Sequence, residues 1–271
     1  PAVTCNGDLV DIDVTNTSIV SGVATDGVTV PSSTGDLDDI TGEEPVNGLT
    51  GQSYPGNITS NLTNNTTSDI DVTFTFTPEL AGCLDGPTMD VVVTVEATPL
   101  LAPTLNSATV ICDGGNVDID VVAASVADGA LTYGVNVSSS TGDLDDITGE
   151  EAIDGLTGQS YPGNINTNLV NNTDSDIDVT FTFIPELAGC ASGTPVDVVV
   201  TLEPTPSLNS VLNSAAVICD GVTVDIDVNS TSVADGTLTY GITVLSSTGD
   251  LNDVTGEEAI DGLVGQAYPG N

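Results

Sequence analysis

The stretch IDVTFTF occupies residues 177–183 and recurs at residues 70–76. Its apolar side chains, from Ile177 to Phe183, alternate with Asp and Thr. Successive side chains of a strand point to opposite faces, so this pattern predicts a strand with one buried face. The stretches VDIDV (117–121), LTYGVNV (131–137) and VDVVVTL (196–202) show the same alternation, with Gly-, Asn-, Asp- and Ser-rich turns between them. The sequence therefore predicts an all-β fold of antiparallel strands in a two-sheet sandwich.

A repeat of 107 residues organises the whole chain. The string STGDL begins at Ser33, Ser140 and Ser247, and 52 of 67 positions are identical between residues 33–99 and 140–206. About 100 residues is the size of an independent immunoglobulin-like sandwich. We therefore expect tandem domains at residues 1–99 (with a truncated start), 100–206 (complete) and 207–271 (truncated in its C-terminal half). Proline clusters at residues 97–103 and 204–207 predict short, stiff connectors between them.

The first copy departs from the second in its third strand. Asp26 occupies the position of Tyr133 in the second copy. This difference predicts either a shifted register for that strand or a less stable repeat.

Charge excludes several classes of function. The 271 residues contain 40 Asp and Glu but no Lys, Arg or His, which gives a net charge of -40. Nucleic-acid binding and docking on anionic membranes both need basic side chains, so neither partner is expected. No stretch of 18 apolar residues occurs, so direct membrane insertion is not expected either.

Enzymatic activity is not expected for the same reason. Most catalytic arrangements use His, Lys or Arg. A carboxylate pair for glycoside hydrolysis would need a cleft with aromatic platforms, and aromatic residues make up only 3% of the chain.

The second half of each repeat carries a family resemblance. NTNLVNNT (166–173), TFTFIP (180–185), Gly189-Cys190, Gly-Thr-Pro (193–195) and residues 198–206 resemble the PKD-like, immunoglobulin-like repeats of large Bacteroidota cell-surface adhesins. Those adhesins include proteins that serve gliding motility and leave the cell through type 9 secretion. The resemblance implies a secreted, extracellular structural or adhesive region, the stalk or filament of a surface adhesin. Two alternatives remain: a module that binds polysaccharide or protein, and a subunit of a self-assembling surface appendage.

Two cysteines in each repeat predict disulfides in a secreted β-protein. The pairs Cys5/Cys83 and Cys112/Cys190 are each 78 positions apart. Bonds within a repeat, Cys5–Cys83 and Cys112–Cys190, are favoured and leave Cys219 without a partner. The rival pairing joins Cys83 to Cys112 and Cys190 to Cys219, across the connectors. Free buried thiols are the third alternative.

An acidic loop in each repeat is the candidate metal site. Oxygen ligands in a turn suit Ca²⁺, although the spacing is not that of an EF-hand. The alternative is a solvated turn that binds no ion, and no other cofactor is expected. The candidate ligands in the first two copies are Asp36, Asp38, Asp39, Glu43, Asp143, Asp145, Asp146 and Glu150.

Acidic side chains elsewhere have two expected consequences. The Asp-x-Asp strands, with Asp118 and Asp120 or Asp225 and Asp227, are expected to place two carboxylates on one outward face, since charge on exposed strand edges discourages aggregation between sheets. With no cations in the chain, crowding of carboxylates is expected to raise their folded-state pKa values. Neighbouring repeats are the expected partners within the chain, with an external polysaccharide or protein as a further alternative.

Overall fold

A computed structural model of the chain describes residues 2–17 and 22–270, and its regular structure there consists of strands and short 3₁₀ turns. The strands of the first copy are β1 (Ala2–Thr4), β2 (Leu9–Val14), β3 (Ala24–Thr29), β4 (Ile40–Thr41), β5 (Leu49–Ser53), β6 (Gly56–Asn61), β7 (Thr63–Asn64), β8 (Ile70–Leu80) and β9 (Met89–Val95). Those of the second copy are β10 (Leu101–Leu105), β11 (Val110–Ile111), β12 (Asn116–Ala123), β13 (Leu131–Ser139), β14 (Ile147–Thr148), β15 (Leu156–Ser160), β16 (Gly163–Asn168), β17 (Val170–Asn171), β18 (Ile177–Leu187) and β19 (Val196–Leu202). The third copy has β20 (Leu208–Leu212), β21 (Ile226–Ser230), β22 (Thr239–Tyr240) and β23 (Gln266–Ala267). The 3₁₀ turns are Leu37–Asp39, Leu144–Asp146 and Leu251–Asp253.

The second copy is a two-sheet sandwich. One sheet has the order β11-β19-β18-β13-β15 and the other the order β10-β12-β16. All pairs are antiparallel except β11 with β19, which is parallel. On β18 the side chains of Ile177, Val179, Phe181 and Phe183 are fully buried, and the residues between them are more exposed. The predicted all-β, immunoglobulin-like sandwich fold is confirmed.

The first copy repeats this arrangement. Its sheet β1-β9-β8-β3-β5 packs on the pair β2-β6 around a separate hydrophobic core. In the third copy Val224 and Ile226 are 53% and 42% exposed, whereas the equivalent Val117 and Ile119 are fully buried. Within the described residues the third copy has no counterpart of β18 and β19. The domain limits at residues 99/100 and 206/207 stay a prediction.

The register of β3 decides between the two alternatives for the strand that carries Asp26. Asp26 lies opposite Pro78 on β8, just as Tyr133 lies opposite Pro185 on β18. The alternative of a shifted register is therefore wrong, and Asp26 occupies the place of a buried tyrosine.

The predicted connector is shorter than its prolines indicate. Residues 101–103 belong to β10, where Pro103 pairs with Val121 of β12. Proline is tolerated there because β10 is an edge strand.

Candidate functional site: the junction between repeats

A disulfide crosses from the first copy to the second. The Sγ atoms of Cys5 and Cys190 are 2.00 Å apart, and their Cα atoms are 5.4 Å apart. Cys83, Cys112 and Cys219 are exposed free thiols. The structure therefore contains neither the favoured bonds within a repeat nor the rival pairing of Cys83 with Cys112 and Cys190 with Cys219.

Strand length explains why bonds within a repeat do not form. Cys112 follows Ile111, which pairs with Leu202 beside Ile177 at the start of β18. Cys190 lies just beyond the other end of β18, where its N–H donates to Leu187 O (3.0 Å). Ten residues of strand separate these ends by about 33 Å. A disulfide needs Cα atoms within about 7 Å, so the two cysteines of one copy cannot meet.

The cysteines therefore occupy opposite ends of each sandwich. The Cys5 end of the first copy faces the Cys190 end of the second. The bond joins residues 185 positions apart. In the chain-entropy model, closing so long a loop stabilises the folded state by about 5 kcal/mol.

A buried carboxylate forms a second contact across the same junction. Glu96, which follows β9 in the first copy, is 3% exposed. Its Oε2 accepts a hydrogen bond from Asp128 N (3.1 Å) and its Oε1 accepts one from Gly129 N (3.1 Å), both in the second copy. Asp69 joins the cluster by accepting from Asp128 N and, through Oδ1, from Ala97 N (3.0 Å).

Burial and a like charge act together on Glu96. Burial is the largest cause that raises the pKa of its carboxyl, and the charge of Asp69 and a hydrogen bond with Asp69 raise it further. The N–H groups of Asp128 and Gly129 oppose this by stabilising the carboxylate. A raised pKa means that the junction favours the protonated form of Glu96 over the ionised form, relative to water.

Backbone contacts complete the junction. Val126 N donates to Thr67 O (2.8 Å), and Ser68 forms a parallel bridge with Val126. Leu100 N donates to Oγ of the buried Ser125 (2.9 Å). The connector is therefore hydrogen-bonded to the repeat that follows it.

The junction between the second and third copies repeats these contacts 107 positions further on. Glu203 Oε1 accepts from Gly236 N (3.0 Å), and Ser207 N donates to Ser232 Oγ (2.7 Å). Val233 N donates to Asp174 O (2.7 Å). The junction is a recurring structure, but Glu203 Oε2 has no hydrogen-bond partner and Cys112 has no disulfide.

Sequence reasoning missed the polar members of this junction. Asp69, Glu96 and Ser125 were not candidate residues, because each is an ordinary polar residue near a turn. Their recurrence in the sequence could have identified them, because Asp176, Glu203 and Ser232 lie 107 residues after them.

The candidate calcium ligands lie apart from the junction. Asp36 and Asp143 each accept a hydrogen bond from the backbone N–H two residues later, at Asp38 and Asp145 (both 3.0 Å), and so cap a 3₁₀ turn. Asp38, Asp39, Asp145 and Asp146 belong to those turns. Across residues 2–17 and 22–270, no three acidic or cysteine side chains are grouped so that they could hold a metal ion. Calcium binding stays a prediction.

The last two candidate ligands, Glu43 and Glu150, are buried. In both, Oε2 has no hydrogen-bond partner. Burial raises the pKa of the Glu150 carboxyl, its own backbone N–H lowers it, and Glu151, Asp154 and Asp145 raise it. Repulsion among acids is thus present, as expected, but burial has the larger effect.

Asp118 and Asp120 lie on the outward face of β12, as expected, but β12 pairs with both β10 and β16 and is not an edge strand. Asn164 Nδ2 donates to Asp118 Oδ1 (2.7 Å) and to Asp120 Oδ1 (2.9 Å). Hydrogen bonds from Asn164 and then Asn106 lower the pKa of Asp120. On this face, Asn side chains therefore donate the hydrogen bonds to carboxylates that Lys or Arg could otherwise supply.

Within the described ranges, no helix is long and apolar enough to cross a membrane.

Comparisons with known proteins give no family. No protein-family model and no curated protein matches the chain. Among solved structures, domains 4 and 5 of the S-layer protein SbsC are 15% identical over 70% of this chain and 78% of that chain, with a TM-score of 0.26. Fibronectin(III)-like modules of Clostridium thermocellum CbhA are 12% identical over 74% and 87% (TM-score 0.25), and the amphioxus IgVJ-C2 molecule is 11% identical over 73% and 99% (TM-score 0.31). At these scores nothing about ligand, partner or activity passes from those proteins to this chain.

Proposed function

We propose that this chain is part of the extracellular stalk or filament of a bacterial surface adhesin, and that its role is structural rather than enzymatic. The observation that carries this proposal is the junction, where the Cys5–Cys190 bond and the contacts of Glu96 fix one sandwich to the next. Repeats that contact their neighbours through opposite ends form a rod. A rod of identical units sets a distance between a cell and whatever the far end carries.

Chemistry and charge agree with an extracellular location. Disulfides persist in oxidising compartments and are rare in the cytosol. A net charge of -40 favours solubility and an extended array through self-repulsion. The resemblance to Bacteroidota adhesin repeats supports gliding-type, type 9 secreted adhesins as the class.

Small-angle X-ray scattering of the purified chain tests the rod. Each sandwich is about 36 Å long, the length of an 11-residue strand. Three units end to end give a rod about 100 Å long. A thin uniform rod of that length has a radius of gyration of about 29 Å. A single compact body of 271 residues would give about 18 Å. A value near 18 Å would contradict the stalk.

Labelling of intact cells tests the location. An antibody against residues 100–206 should bind intact cells of the organism that encodes the chain, and external proteinase K should abolish the signal. Deletion of the region should reduce attachment to surfaces while growth is unchanged. A signal that appears only after lysis would overturn the proposal. Inhibition of the attachment of unmodified cells by soluble repeats, which compete for a glycan or a protein, would favour a binding module instead.

A further inference from the structure

The position of the Cys5–Cys190 bond predicts which cysteines would pair in a longer array of repeats. Its separation of 185 is the sum of 78, the spacing of the two cysteines in one copy, and 107, the period. The first cysteine of one copy therefore bonds to the second cysteine of the next copy. In a longer array this rule would pair Cys112 with a cysteine in the second half of a complete third copy, and Cys83 with a cysteine in a copy before the first.

The surroundings of Cys112 match those of Cys5, except that no counterpart of the loop 190–192 packs against them. We call that loop the incoming loop. At Cys5, residues 97–99 and the loop Cys190-Ala191-Ser192 close on a cleft that leaves about 60 Å³. At Cys112, the equivalent residues 204–206 line an open groove of about 370 Å³. Thr205 Oγ1 donates to Asp113 there, as Asn6 Nδ2 donates to Thr98 Oγ1 (2.7 Å) at the first junction. The receiving side is thus already formed around an unbonded, exposed thiol.

The incoming loop also requires a glycine three residues after its cysteine. At Gly193 a Cβ atom would overlap the carbonyl oxygen of Pro99 across the junction. At the equivalent Gly86, the three atoms nearest to an added Cβ all belong to Pro78 of the same copy. Glycine at position 86, beside the exposed thiol of Cys83, is what a docking loop of the same kind requires.

We propose that Cys112 is a cross-linking site whose occupant is the Gly-Cys loop of a complete repeat that follows residue 206. Cys83 offers the matching loop to a preceding repeat. Every disulfide of a longer array then bridges consecutive repeats, and each complete repeat takes part in two bridges, one at each end. This inference concerns the connectivity of the array and holds whether or not the array serves adhesion.

The chemistry of each bridge is thiol–disulfide exchange. Two thiols lose two protons and two electrons to form one S–S bond, and a disulfide oxidant such as oxidised glutathione takes up the electrons and becomes two thiols. The open groove around Cys112 leaves room for the thiolate to attack.

The test completes the third repeat. Asn271 corresponds to Asn164, so residues 165–206 appended after Asn271 supply the missing half with a sixth cysteine, equivalent to Cys190. In the appended segment the residue equivalent to the exposed Val199 is changed to isoleucine, because the peptide around the appended cysteine would otherwise be identical to residues 187–203. The extended chain is refolded with oxidised and reduced glutathione, its thiols are blocked, and it is digested with a Glu-specific protease for mass spectrometry. We expect two bridges, Cys5–Cys190 and Cys112 to the appended cysteine, with Cys83 and Cys219 as free thiols.

Other pairings give different counts. Bonds within repeats would leave no free thiol, because Cys219 would then join the appended cysteine. That result, a free appended cysteine, or disulfide-linked dimers would each overturn the proposal. A Cys219→Ser variant of the extended chain removes the competing partner and should keep the bridge to Cys112. In a Cys112→Ser variant the appended cysteine should become free while Cys5–Cys190 persists, which also shows that the rest of the chain has folded.

Discussion

Asp26 is a carboxyl held where the fold places a tyrosine. It is 2% exposed, and its Oδ2 has no hydrogen-bond partner. Burial raises its pKa, its own backbone N–H lowers it, and the charge of Glu79 raises it. A cavity of about 230 Å³ lies beside it. At the equivalent place in the second copy, the ring of Tyr133 packs so closely on Gly163 that a Cβ there would overlap it.

Replacing Asp26 with tyrosine should therefore stabilise the first repeat. The Asp26→Tyr side chain fills the cavity against Gly56, the counterpart of Gly163, and removes an unpaired buried acid. We expect the free energy of unfolding to rise by about 2 kcal/mol, from apolar burial and relief of desolvation. Thermal melting checks this, with Asp26→Asn as the control that removes the charge but leaves the cavity. A lower melting temperature for Asp26→Tyr would show that the cavity does not accept the ring.

Glu96 should make the first junction sensitive to pH. Because its folded-state pKa is raised, its contribution to stability is present at low pH and is lost as the pH rises through the folded-state value. Glu96→Gln mimics the protonated form, since its amide can donate to Asp69 and accept from Gly129. The variant should melt at a higher temperature than the parent at pH 8 and at the same temperature at pH 4.

An exposed acid provides the comparison for Glu96. Asp8→Asn removes one charge from an exposed side chain of the first copy that takes no part in the hydrogen bonds of Glu96 and Asp69. It should leave the shape of the pH profile unchanged. If Asp8→Asn and Glu96→Gln shift the profile equally, general charge reduction rather than the junction accounts for the effect.

At the scale of elements, the loop between β18 and β19 decides which cysteines meet. Gly193→Ala should prevent this loop from docking, because the new methyl group overlaps the Pro99 carbonyl. Cys5 and Cys190 should then stay reduced, and the number of free thiols should rise from three to five by maleimide labelling. Gly86→Ala adds the same methyl group to the first copy and should leave three. A labelling count of three for Gly193→Ala would show that the loop reaches Cys5 by another path.

The same elements show what the sequence could and could not predict. Alternation in residues 177–183 predicted β18 and its buried face, because side-chain direction follows the strand period directly. The spacing of Cys112 and Cys190 could not predict their pairing, because it does not say at which end of a strand about 33 Å long each cysteine lies. Prolines at 99 and 103 predicted one connector, and the intervening Leu-Leu-Ala shows no alternation that would distinguish the edge strand β10 from a linker.

At the scale of the whole molecule, charge should govern the response to salt. With 40 acids and no Lys, Arg or His, folding brings like charges closer together. Raising the ionic strength from 0.01 M to 0.15 M shortens the Debye length from about 30 Å to about 8 Å and screens that repulsion. The melting temperature should therefore rise with NaCl, and it should be higher at pH 5 than at pH 8.

Divalent ions separate general screening from a specific site. MgCl₂ and CaCl₂ at matched ionic strength should act alike if the loops at Asp36–Glu43 and Asp143–Glu150 are solvated turns. An additional rise of several degrees in CaCl₂ alone would instead indicate bound calcium. Asp38→Asn tests that outcome, since the third copy already carries Asn252 at this position.

The Cys5–Cys190 bond also changes what damage does to the molecule. Between these residues the chain has two covalent routes, the backbone and the sulfur bridge. A protease that cuts once anywhere in residues 6–189 opens a ring but leaves a single covalent molecule. Separation then needs a second cut outside that ring, or a reductant as well as a protease. In the stalk that we propose, a single cut within residues 6–189 would therefore leave the far end attached.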